Sequence, residues 1–257
     1  TPVWLPEGVW TDFFTGDIYR IGKGGREFTA VRPADSIPVF AEAGAVMVCS
    51  DDQGNTCENP HALEITVWNG NGGFRLYEDR EDGAECLTVI GTSCDEQTGT
   101  QTVTIRTEGD RSVLPTDRRL SLRFPNIISR HPADELLAPQ TGNVTVTVER
   151  NGQNTAFEAD TYAEATVTLT EYDPAATYTI RVTVPAVDVL TEKKREVIAK
   201  LQKTQATFSV RKKIAEKVHA AESIDRLHSW ILLSDLDKTE KKRLCETLME
   251  DDPPISE

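Results

Sequence analysis

Apolar residues recur at every second position along most of the chain up to residue 184, and at every third or fourth position from residue 188 onward. The first rhythm is that of half-buried strands, the second that of amphipathic helices. Leu63, Ile65 and Val67 alternate with Glu64, Thr66 and Trp68. The same beat returns at Val103 and Ile105, at Leu120, Leu122 and Phe124, and at Val144, Val146 and Val148. It closes with Val167 and Leu169, then Tyr178, Ile180, Val182 and Val184. Turn signals such as Asn151-Gly152 separate these runs. One dry and one wet face per strand predicts an antiparallel sandwich. Asn69-Gly70-Asn71-Gly72-Gly73 is expected to turn the strand at 63–67 back into Phe74-Arg75-Leu76-Tyr77 as a hairpin.

Residues 3–48 read as shorter strands. Pro6-Glu7-Gly8 stops the first, because Pro lacks the N–H and Gly accepts positive φ. Thr15-Gly16-Asp17 is placed as a hairpin between Trp10–Phe14 and Ile18–Ile21, and Pro38 demotes Ile37–Phe40 to an edge strand or bulge. About fifty residues bury little core alone, so this sheet needs a partner surface. Ser50–Asn55 is polar and turn-rich and marks a boundary.

From Asp188 the spacing is helical. Val197, Ile198 and Leu201 share one face of a helix that Thr191 is expected to cap, and Val210, Ile214 and Val218 share a face of the next. Ser223 is placed as the N-cap of a third helix with Leu227 and Ile231, and Asp237 with Glu240 as a capping box for a fourth. No internal repeat is evident. The expected fold is mainly β: two antiparallel sandwich-type domains, 1–57 and 58–187, then a small helical bundle at 188–257.

With 38% apolar and 27% charged residues the composition reads as soluble and globular, and no stretch approaches the eighteen apolar residues of a membrane span. Thr1-Pro2 without an initiator Met looks like the start of an excised piece. Residues 188–257 hold 14 basic and 14 acidic side chains, so the net charge of −14 lies wholly in the part before them. That surface repels phosphate backbones, which disfavours nucleic acid. Cys49 and Cys57, and Cys86 and Cys94, are each eight apart and open to pairing in an oxidising compartment; free structural thiols are the simpler reading. The compartment is left open, with a lean to the cytoplasm.

Three motifs stand in a telling order: V-W-L-P-E-G-V-W-T-D-F-F-T-G-D from Val3, I-P-V-F-A-E-A-G-A-V-M from Ile37, and L-E-I-T-V-W-N-G-N-G-G-F-R-L-Y-E-D from Leu63. They resemble the segments that follow the catalytic barrel in the α-glucosidases of glycoside hydrolase family 31, across about residues 3–90. The resemblance implies a proximal β domain lacking its first strands, and so an open edge, followed by a distal sandwich. It also implies a parent enzyme that cleaves α-glycosidic bonds with retention, using two carboxyls about 5 Å apart. Both belong to barrel loops upstream, so no catalytic residue is carried over. Arg80 departs from the family, which commonly has Asp after L-Y-E-D.

Other candidates have plainer explanations. Glu78-Asp79-Arg80-Glu81-Asp82-Gly83 gathers carboxylates, but without EF-hand spacing it reads as a solvated hairpin tip. Trp4, Trp10, Tyr19 and Trp68 offer flat rings for a sugar; Trp68 is the best of them, because alternation sets it opposite Leu63, Ile65 and Val67. Gly70–Gly73 lacks the context of a phosphate loop. Lys193-Lys194-Arg195 and Arg211-Lys212-Lys213 read as salt-laced solvent faces, and His219 and His228 have no third ligand. No metal or cofactor is expected. The expectation is a non-catalytic region that braces the barrel of its parent chain. The alternatives are a carbohydrate-binding module, and an oligomerisation module acting through the helices.

Overall fold

In the computed structural model, which describes residues 1–34, 36–52, 58–125, 127, 144–161, 164–184 and 188–248, strands run as far as residue 183 and four helices follow. The fold is mainly β with a helical end, as the two periodicities require. The chain divides into two compact units.

The first unit joins Thr1–Glu42 to the helices. Strands β1 (Pro2–Leu5) and β4 (Arg26–Thr29) pair antiparallel, and β3 (Ile18–Ile21), β2 (Gly8–Asp12) and β5 (Phe40–Glu42) form a three-stranded sheet in that order. Leu5, Tyr19 and Ile21 are buried with Val3, Trp10, Phe28 and Phe40 against them. The strand expected at Ile37–Phe40 begins only at Phe40, beyond the proline.

Helices α1 (Val189–Gln202), α2 (Phe208–Ala220), α3 (Ile224–Leu232) and α4 (Lys238–Cys245) bury Val197, Ile198, Leu201, Ile214, Val218, Leu227, Ile231 and Leu244 together. Ser223 and Asp237 cap α3 and α4 as expected, whereas α1 is capped by Asp188, which accepts from the Thr191 N–H. The structure also corrects the reading that the region has no repeat. Ile231, Ser234, Asp237 and Leu244 take the places of Leu201, Thr204, Thr207 and Ile214, each thirty positions on. The Thr204 hydroxyl donates to the Leu201 carbonyl (2.8 Å) and the Ser234 hydroxyl to the Ile231 carbonyl (2.6 Å). The pairs α1–α2 and α3–α4 are therefore two versions of one helical hairpin. Their sequences agree in residue class rather than identity, which hides the repeat.

The second unit lies within Ala43–Ser129 and Thr141–Ala186. Its five-stranded sheet runs β14 (Glu158–Asp160), β15 (Ala165–Leu169), β11 (Arg119–Phe124), β7 (Ala62–Val67), β6 (Val46–Ser50). Its six-stranded sheet runs β13 (Gln153–Asn154), β12 (Thr145–Arg150), β16 (Tyr178–Thr183), β10 (Thr100–Gly109), β9 (Glu85–Asp95), β8 (Gly72–Asp79). The alternating Val, Ile, Leu and Tyr positions of both sheets meet in one core. Among the described strands, pairing is antiparallel except between β11 and β7, which run parallel.

Two units thus stand where three domains with boundaries after 57 and 187 were expected. β6 pairs with β7 and packs Val46 and Val48 on the second core, while the helices share a unit with β1–β5. The glycine-rich stretch at 69–73 is not a hairpin either. It carries the chain from β7 in one sheet to β8 in the other. Gly44 approaches it so closely that a Cβ there would lie 2.2 Å from the Asn71 carbonyl oxygen, and Gln101 clamps it by bonding both the N–H and C=O of Gly70 (2.9 and 3.0 Å).

Candidate functional site

The densest polar chemistry of the first unit gathers at Asp12, the last residue of β2. Asp12 is fully buried. Its Oδ1 accepts from the N–H groups of Phe14 and Thr15 (2.9 and 2.8 Å), which fixes the turn into β3. Its Oδ2 accepts from Nη2 and Nε of Arg32 (2.5 and 3.1 Å). Arg32 in turn donates through Nη1 to Glu246 Oε1 (3.0 Å), and the Tyr19 hydroxyl donates to the same oxygen (2.7 Å). Glu246 Oε2 accepts the Val31 N–H (3.2 Å). Burial, with the charges of Glu246 and Asp17, holds the Tyr19 phenol far above its ordinary pKa, so it remains a donor.

A second set of contacts fastens α1 to β3. Lys193 Nζ donates to the Ile18 carbonyl (2.7 Å) and Glu196 Oε1 accepts the Ile18 N–H (3.2 Å). Lys200 meets Asp17 at 3.1 Å and Arg20 meets Glu192 at 2.9 Å. Lys193 is fully buried, so it is not part of the solvent face that the basic run suggested. Burial pushes the Glu196 carboxyl above the usual glutamate range, against the pull of Lys193 and Lys200.

These tethers hold apolar side chains outward. Phe14 on the β2–β3 turn is 61% exposed and Ile37 on the segment before β5 is 68% exposed. The Phe13 N–H donates to the Val39 carbonyl at 2.8 Å, which draws that segment, with its exposed Val39, alongside the turn. The result is an apolar rim of Phe14, Ile37 and Val39 on a buried ionic base. Trp4, on β1, is exposed as well. Such a rim suits contact with another polypeptide better than small-molecule chemistry.

No family model matches this chain, and no curated protein matches it. Among solved structures it is similar to the uncharacterized protein lmo2446 of Listeria monocytogenes EGD-e, with 19% identity and a TM-score of 0.47. That match covers 70% of this chain and 16% of the other, so the chain spans less than a fifth of that protein's length. A second structure of the same protein, in complex with alpha-D-glucose, beta-D-glucose, magnesium and calcium, gives the same figures. Neither similarity bears on the chemistry of this chain.

The residues singled out from sequence scatter. Trp68, just past the end of β7, is only 4% exposed: Thr66 and Trp68 are enclosed nearly as fully as Leu63, Ile65 and Val67, and only Glu64 on their side is half-buried. Alternation assigned Trp68 to the opposite face correctly but not to solvent, and no ring face is open to a sugar there. Tyr19 is likewise buried. Within the acidic hairpin, Arg80 pairs with Asp82 at the exposed tip, while Glu78 is buried in a two-point pair with Arg118 (2.6 and 2.7 Å). Cys86 and Cys94 are free thiols on the one strand β9, about 26 Å apart at strand spacing, and cannot bridge. Cys49 is free and exposed, and Cys57 lies outside the described residues. Among the described residues no three His, Cys, Asp or Glu side chains converge as for a metal ion. The Asp12 corner went unread. An Asp ahead of Thr-Gly hints at a side-chain-capped turn, but Arg32 and Glu246 carry no local signal.

Proposed function

We propose that this chain is the non-catalytic C-terminal region of a family 31 α-glycosidase, and that it braces a catalytic barrel carried by the same parent polypeptide. The order of the three motifs from Val3 to Asp79 supports that assignment. The observation that carries the bracing role is the tethered rim. Phe14 stands in water on a turn that Asp12 fixes through the Phe14 and Thr15 N–H groups, and Ile37 on a segment that the Phe13–Val39 bond ties to that turn. Covering each such side chain is worth about 1.5–3 kcal/mol, and an anchored rim loses little conformational entropy on docking. Catalysis by a retaining glycosidase depends on two carboxyls kept at fixed separation, which a barrel with steadied loops provides. The burial of Trp68 speaks against the sugar-binding alternative.

Incubating the 257-residue chain with a nitrophenyl α-glucoside should give only background hydrolysis, and titration with malto-oligosaccharides should give no heat. In the parent enzyme, Phe14→Asp with Ile37→Asp should lower the melting temperature of the barrel while the 257-residue chain carrying the same changes melts unchanged. Turnover by the isolated chain, or a parent enzyme indifferent to the double substitution, defeats the reading.

A further inference from the structure

The chain holds three Asn-Gly pairs: Asn69-Gly70, Asn71-Gly72 and Asn151-Gly152. In such a pair the backbone nitrogen of the glycine can attack the side-chain amide of the asparagine, because glycine brings no Cβ to obstruct the approach. The attack needs a glycine N–H that no acceptor holds, and room for the side chain to close on it. All three asparagines are exposed, so exposure does not separate them. The surroundings of the glycines do.

The first two pairs are shut. The Gly70 N–H is given to Gln101 Oε1 at 2.9 Å, and a Cβ on Gly70 would lie 2.5 Å from the Gly44 nitrogen. Gly72 is the first residue of β8, paired with Thr92, and a Cβ there would lie 2.3 Å from the Gly44 carbonyl oxygen. Asn151-Gly152 is open. It makes the two-residue turn between β12 and β13, with φ of +51° and +78°. Nothing stands within 4 Å of where a Gly152 Cβ would be, and no hydrogen bond takes the Gly152 N–H among the described residues. Asn151 Oδ1 accepts the Thr177 N–H at 2.9 Å, and Nδ2 has no partner among the described residues. The Thr177 N–H draws electrons from Cγ and stabilises the charge that Oδ1 takes on as a nucleophile adds.

We propose that Asn151 is a self-modification site, where the folded chain converts asparagine to isoaspartate and aspartate while it shields Asn69 and Asn71 from the same reaction. The Gly152 nitrogen gives its proton to a solvent base and bonds to Asn151 Cγ. The Cγ–Nδ2 bond breaks, and Nδ2 takes up a proton and leaves as ammonia. Water then opens the resulting succinimide at either carbonyl, to aspartate or to isoaspartate. The balance is one water in and one ammonia out, with no change of oxidation state. The product carries one more negative charge, and its isoaspartyl form one more methylene in the main chain. A two-residue turn with both residues left-handed no longer closes across that extra atom. The rungs Arg150–Gln153 and Glu149–Asn154 therefore open, while Val148 behind them stays in the core.

Ageing the 257-residue chain for days in mildly alkaline buffer, followed by peptide mapping that separates isoaspartate from aspartate, tests the proposal. In the folded chain position 151 should convert at least roughly tenfold faster than positions 69 and 71. In urea all three should convert at similar rates, because the difference lies in the fold. Gln101→Ala frees the Gly70 N–H and should speed conversion at Asn69 without changing the rate at Asn151. Gly152→Ala places a Cβ on the attacking residue and should slow conversion at Asn151 by at least roughly tenfold, with circular dichroism confirming that the variant is folded. Equal rates at the three positions in the folded chain, a folded chain inert at Asn151 while the urea-unfolded chain reacts, or an Asn69 indifferent to Gln101→Ala would overturn it.

Discussion

The Tyr19 hydroxyl and the Glu246 carboxylate lie 2.7 Å apart inside the first unit, although 227 positions separate them in the chain. The contact makes the helices structural partners of the small β-sheets. Fewer than fifty residues of short strands bury too little apolar surface to stand alone, and here α1 and α4 enclose them through Ile18, Tyr19 and Arg32.

Tyr19→Phe should destabilise the first unit by about 2 kcal/mol, the usual loss of a hydrogen bond to a charged acceptor. Glu246→Ala should cost more, about 3–5 kcal/mol, because Arg32 loses a buried partner and the Val31 N–H loses its acceptor. Urea denaturation followed by far-ultraviolet circular dichroism measures both. Together the two changes should cost less than their sum, since they remove one shared bond.

The buried Glu196 sets a pH dependence of opposite sign to that of an ordinary paired carboxylate. Burial raises its folded pKa above the usual 4.5. The folded state then holds its proton more tightly than the unfolded chain does. Its stabilising contribution is complete below about pH 4.5 and is lost as pH rises through the folded value. Stability of the wild type minus that of Glu196→Gln should therefore fall as pH increases from 4.5, in matched urea titrations. A difference that stays flat, or climbs with pH, would mean that Lys193 and Lys200 outweigh the burial.

The period-two and period-3.6 patterns made the strands and helices readable, because each face was coded by neighbours within a few residues. Sheet membership was not coded locally. Leu63–Val67 and Phe74–Tyr77 look like the arms of a hairpin, yet the glycines between them serve a crossing whose reason is Gly44, far back in the chain. Trp68 shows the same limit, since its side of the strand was correct and its exposure depended on what covers β7. The Asp12–Arg32–Glu246 corner is a meeting of three distant segments, and no spacing rule reaches across them.

Gly44 and Gly16 both adopt positive φ, +83° and +74°, but only Gly44 is hemmed in by backbone. Gly16→Ala should cost about 1 kcal/mol, the left-handed strain alone. Gly44→Ala adds a collision with the Asn71 carbonyl, which cannot rotate away, and should cost roughly 3 kcal/mol in the second unit. Equal losses in thermal or urea melts would mean that the Gly44–Asn71 approach relaxes freely.

Glu78 and Arg118 give the sharpest contrast between removing one partner of an ion pair and removing both. Both side chains are almost wholly enclosed, and Arg118 also donates to the Pro60 carbonyl through Nε and Nη2 (3.0 and 2.8 Å). Glu78→Gln leaves a buried guanidinium without its counter-charge and should cost about 3–5 kcal/mol. Replacing both residues by Leu removes both desolvated charges and fills the space with apolar atoms, so most of that loss should return. The Pro60 carbonyl then lacks its donors, which keeps the double variant about 1–2 kcal/mol below wild type. Guanidinium melts of the single and double variants measure the difference. A double variant as unstable as Glu78→Gln would show that the pair itself, and not the orphaned charge, holds this part of the sandwich.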